Sequence, residues 1–74
     1  MSKEQLNAVL MNIRYARTVK GYSQSYLGKK IGLSQKAYNK IEVGTTALTV
    51  ERLLEISFIL GTGLEELLSL NGFR

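Results

Sequence analysis

Residues 23–44 read Ser23-Gln24-Ser25-Tyr26-Leu27-Gly28-Lys29-Lys30-Ile31-Gly32-Leu33-Ser34-Gln35-Lys36-Ala37-Tyr38-Asn39-Lys40-Ile41-Glu42-Val43-Gly44. Their order decides the fold. Ser23 suits a helix N-cap, because its hydroxyl accepts a hydrogen bond from an otherwise unpaired first-turn N–H. The short helix it opens carries Tyr26, Leu27 and Ile31, and Gly32 ends it. Ser34 caps the next helix, which runs from Gln35 to about Val43 before Gly44 closes it. Leu33 is apolar inside the turn, as expected of a plug between two helices.

Two short helices joined by a tight Gly-containing turn have the grammar of a helix-turn-helix, with the helices held at roughly 90–120°. The second of them divides its labour. Ala37, Tyr38 and Ile41 fall on one side; Gln35, Lys36, Asn39 and Lys40 fall on the other, with no acid among them. These four are the side-chain types that read base edges, amides toward adenine and lysines toward guanine. A solvated amphipathic helix would show the same pattern. The turn and the charge distribution tip the reading toward contact with double-stranded DNA.

Working outward, helical periodicity continues almost throughout. Ser2 and Gln5 form a capping box opening the first helix, in which Leu6, Val9, Leu10, Ile13, Ala16 and Arg17 make one stripe. That helix stops near Lys20 and Gly21. Thr49 caps a fourth helix with a wide apolar face of Val50, Leu53, Leu54, Ile56 and Leu60. After Gly61 a last short helix uses Leu64, Leu67 and Leu68. The expectation is a compact all-α, five-helix domain, one unit over residues 1–74.

The charge is uneven. Residues 1–40 hold eight of the ten Lys and Arg against Glu4 alone, a net +7; residues 41–74 carry a net −3. One half suits a polyanion and the other avoids it. With neither His nor Cys, a zinc finger, a disulfide framework and His-based acid/base chemistry are excluded. No constellation of nucleophile, base and orienting group appears. The expectation is no enzyme, cofactor or small-molecule substrate. No apolar run approaches the ~20 residues of a membrane span, and the amino terminus lacks a signal-peptide pattern; a cytoplasmic location is expected.

Residues 17–44, through the Ile-Gly-Leu-Ser turn and the Ile-Glu-x-Gly ending, resemble the Cro/C1-type (Xre-like) helix-turn-helix family of phage and bacterial repressors. The similarity extends over about residues 9–70, to the Leu-Gly before the final Leu-x-x-Leu-Leu. The resemblance implies a lambda-repressor-like fold and a transcriptional regulator. It assigns base reading to Gln35, Lys36, Asn39 and Lys40, and a phosphate contact to Gln24, consistent with the positive end of a helix dipole. Ser23 and Ser34 are caps first and phosphate contacts second. Ala37 becomes the position where the second and third helices touch.

Arg17 sits on an apolar stripe, and Glu42 lies at a helix C-terminus that disfavours an acid. Each explains the other as a structural ion pair, which the family also has. Departures from the family are equally informative. The loop Thr45-Thr46-Ala47-Leu48 lacks the usual basic residues, leaving Thr hydroxyls and main-chain N–H groups of Thr45 and Thr46 for phosphate. Gly28 replaces the usual Ala at a cost of about 1 kcal/mol in helix propensity. Phe58, Ile59, Leu70 and Phe73 suggest an apolar patch for a homodimer bound to a near-palindromic operator. The alternative use of that helix 4/helix 5 surface is an antitoxin-like interaction with a protein partner.

Overall fold

Helix α1 (Lys3–Val19) starts where the Ser2 hydroxyl accepts from the Gln5 N–H at 3.1 Å and the Gln5 side chain accepts from the Ser2 N–H at 3.0 Å. The computed structural model of the chain describes residues 1–70. After α1 come α2 (Gln24–Lys30), α3 (Gln35–Glu42), α4 (Val50–Leu60) and α5 (Leu64–Leu67). The architecture of the described residues is all-α, five helices without strands, as expected of the lambda-repressor-like fold. Ser23, Ser34 and Thr49 each cap their helix through the side-chain oxygen, at 2.9, 3.1 and 3.1 Å. Gly63 has no side chain to cap α5; instead its N–H donates to the Glu66 carboxylate at 3.4 Å.

One core joins all five helices. Val9, Ile13 and Ala16 of α1 meet Leu27 of α2, Tyr38 of α3, Leu53, Ile56 and Leu60 of α4, and Leu67 of α5. Leu33 packs against this cluster from the turn. Gly32 sits in the left-handed region at φ +76°, which lets the chain reverse there without a Cβ penalty. Arg52 of α4 donates to the Ile31 carbonyl at 2.7 Å, satisfying an acceptor at the end of α2 and tying α4 to the central pair.

The structure refines several expectations. The apolar face of α4 resolves into two stripes: Leu53, Ile56 and Leu60 are buried, whereas Val50, Leu54 and Phe58 are exposed. Ile59 is half-buried and packs on the core. Leu68 is exposed, as is Tyr26, whose ring lies 4.6 Å from that of Tyr22 and beneath the Lys30 ammonium. Asn12, a polar residue within the buried side of α1, donates its amide to the carbonyls of Leu67 at 2.9 Å and Ser69 at 2.8 Å. It fixes the end of α5 by hydrogen bonds rather than apolar contact.

Gly28 has a reason beyond propensity. A Cβ there would stand 2.9 Å from the Tyr38 Cβ and 3.2 Å from the Leu33 and Ser34 carbonyl oxygens. The close approach of α2 and α3 therefore occurs at Gly28 and Tyr38; Ala37 is only half-buried beside it. Gly28→Ala gains helix propensity but overpacks this contact. The expected result is a net loss of about 1–3 kcal/mol in urea unfolding, and an unchanged or raised midpoint would refute the close-packing account.

Candidate nucleic-acid interface

The surface in question is built on α3. The buried side chains Tyr38, Ile41 and Glu42 fix one side of that helix to the protein. Gln35, Lys36 and Lys40 are exposed on its other side, with Asn39 half-buried between the surface and α2. Gln24, Ser34, Gln35, Lys36 and Asn39 line one open groove. Among the described residues, ion pairs involve Arg14, Arg17, Arg52, Glu42 and Glu55, so neither Lys36 nor Lys40 is neutralised by a salt bridge.

The base of α3 is held by Arg17 and Glu42. The guanidinium clasps the carboxylate in a two-pronged fork, Nε to Oε2 at 3.0 Å and Nη2 to Oε1 at 2.8 Å. Its remaining arm donates to the Tyr22 carbonyl at 2.9 Å, at the entry to α2. The Glu42 side chain is fully buried and that of Arg17 nearly so. Burial alone would push the Glu42 carboxyl up; the hydrogen bonds from Arg17 and Gln24, the neighbouring Tyr38 hydroxyl and the Arg17 charge outweigh it, holding the carboxyl below its ordinary range. Burial, and then the Glu42 charge, push the Tyr38 phenol up, so this hydroxyl stays protonated. It is buried without a well-formed hydrogen bond. Arg14 approaches the same carboxylate at 3.6 Å from an exposed position, where screening leaves little energy.

Other residues singled out from sequence have mixed positions. The Gln24 amide does not point freely into solvent: its Nε2 donates to Asn39 Oδ1 at 3.0 Å and to Glu42 Oε1 at 3.1 Å. The Ser23 and Ser34 hydroxyls accept from Tyr26 and Ala37 as caps. The main-chain N–H groups of Thr45 and Thr46 both donate to the Lys40 carbonyl, at 2.8 and 3.0 Å. They close α3, so their exposed side chains are what this loop offers an anion. Phe58 is 85% exposed and Leu70 59% exposed, so both are open to a partner surface. Phe73 lies outside the described residues. Sequence reasoning missed Asn12 and the Gln24–Asn39 link; only the placement of an amide on a buried stripe signalled the former.

Among the described residues, no three His, Cys, Asp or Glu side chains are grouped to hold a metal. No helix there is long and apolar enough to cross a membrane.

The ion pair generates a test. Arg17→Met strands a buried carboxylate and is expected to cost about 3–5 kcal/mol in chemical unfolding at pH 7. A depressed carboxyl stabilises the fold fully above its unfolded value of 4.5, and this contribution is lost as pH falls through the lower folded value. Wild-type stability should therefore fall below about pH 4.5 more steeply than that of Glu42→Gln. Equal acid slopes would contradict the assignment.

Comparison with known proteins agrees with this geometry. The family described as Helix-turn-helix matches residues 13–67. A relative from Bacillus subtilis (strain 168), the SPbeta prophage-derived uncharacterized HTH-type transcriptional regulator YonR, is 34% identical over 56 residues, 76% of this chain. The chain spans about half, 52%, of that relative's length. No solved structure matches. With the match running from the middle of α1 to the end of α5, the chain belongs to the Xre/Cro-like helix-turn-helix family.

Proposed function

We propose that the chain is a sequence-specific DNA-binding transcriptional regulator, of repressor or controller type, that places α3 in the major groove. The observation that carries this reading is the acid-free outer face of α3. Gln35 and Lys36 stand exposed at its start and Lys40 farther along, while a buried ion pair fixes the helix from behind. Gln35 and Lys36, with Asn39 and Lys40, are the candidates for base contact. Ser23, Ser34, Thr45 and Thr46, and Gln24 through its main-chain N–H at the start of α2, flank that face as candidates for phosphate contact. The low cation count of the loop after α3 favours modest non-specific affinity.

A helix of eight residues covers only a short stretch of groove. Two copies related by a two-fold axis, with recognition helices about 34 Å apart, would double the sequence read and call for a near-palindromic operator. Exposed Phe58 and Leu70, with Ile59 at the core edge, favour α4 and the chain after α5 as the pairing surface. Phe73, outside the described residues, is a sequence candidate for the same surface.

Two measurements test the proposal. Wild-type protein should bind duplex DNA at low ionic strength, and the double variant Lys36→Ala/Lys40→Ala should bind at least tenfold more weakly. For each of these lysines that sits on a phosphate, the slope of log K against log salt should shrink by about 0.9. Absence of wild-type binding, or a variant as tight as wild type, would defeat the reading. In sedimentation at micromolar concentration the chain should be a dimer that Phe58→Asp dissociates; a wild type that stays monomeric rules the pairing out.

A further inference from the structure

Two amides near the recognition surface have their orientations dictated from the core. Glu42, ionised and buried beside Arg17, can only accept hydrogen bonds. The Gln24 atom 3.1 Å from its Oε1 must therefore be the donor, Nε2. That same nitrogen stands 3.0 Å from an Asn39 side-chain atom, which must then be the acceptor, Oδ1. Asn39 Nδ2 is left over. It has no hydrogen bond to any described residue, and Tyr38 Oη is the only buried side-chain polar atom among them without one, so Nδ2 reaches solvent. Asn39 lines the groove shared with Gln35 and Lys36. The chain of constraint runs from the Arg17 charge through Glu42 and Gln24 to the outward end of Asn39.

We propose that Gln24 is a specificity-setting positioning residue that presents Asn39 to the base edge as a donor, selecting guanine over adenine and cytosine at one position of the site. This rests on the DNA-binding reading above. A free Asn favours adenine, because Oδ1 accepts from N6–H while Nδ2 donates to N7. With Oδ1 turned toward Gln24 that bidentate pair is broken. The remaining Nδ2 donor fits the paired O6 and N7 acceptors of guanine; at adenine it keeps N7 alone beside the N6–H donor, and at cytosine it meets the N4 donor. Gln24 acts through Asn39 and need not touch the base.

The experiment is selection of binding sites from random duplexes with three proteins at one stated salt concentration. Wild type should enrich a motif with guanine at the position that loses its preference in Asn39→Ala. Gln24→Met, similar in length but unable to donate, should leave the rest of the motif unchanged and move that position toward adenine by roughly tenfold. Asn39→Asp, whose exposed edge is an acceptor whether or not Gln24→Met folds, should move it toward cytosine. A motif with adenine at that position in wild type, or identical preferences in wild type and Gln24→Met, overturns the proposal while leaving DNA reading intact. A wild type that binds duplexes but enriches no motif, or that binds none, overturns sequence-specific reading and this proposal together.

Discussion

The fork between Arg17 and Glu42 is the interaction on which the rest of the arrangement depends. A buried carboxylate is tolerable only when charge and hydrogen bonds compensate its desolvation, and here the compensation comes from two other helices. Arg17 reaches it from α1, and Gln24 from the first turn of α2. The same guanidinium also holds the Tyr22 carbonyl. The end of α3, the start of α2 and the end of α1 therefore meet at one acidic group. An apolar replacement of similar volume would fill the space, yet it would not fix the angle of α3 or the direction in which Gln24 points.

Around this point the chain separates holding from presenting. Tyr38 and Ile41 enter the core on one side of α3, and Gly28 lets α2 approach the Tyr38 backbone side closely enough to lock the pair. The opposite side keeps its cations unpaired among the described residues. A rigid helix with a polar, cationic outer face loses little conformational freedom when it meets a polyanion, which favours recognition by preorganisation. Farther away, Asn12 clamps the end of α5 through main-chain carbonyls, so the last described turn is held even though α5 itself is only four residues long.

Much of this was legible from residues alone, because the signals were local. Ser2, Ser23, Ser34 and Thr49 announced the starts of four helices, and each cap forms as its chemistry suggests. Arg17 and Glu42 were conspicuous as opposite charges in the wrong places. What could not be read depended on the approach of distant segments. The need for glycine at position 28 arises from Tyr38 and two carbonyls across the turn, and propensity sees only the cost. Likewise Val50 and Leu54 look like core residues until the packing of α4 selects Leu53, Ile56 and Leu60 instead. The link from Gln24 to Asn39 spans fifteen positions and is visible only once α2 and α3 are side by side.

The most direct test of the central claim is an amide NMR titration of the protein with duplex DNA at low salt. The account predicts that the largest shifts fall on residues 23–25 and 34–40, with the core amides around Glu42 nearly still. Shifts centred on α4 and α5, or none at any duplex concentration, would contradict it.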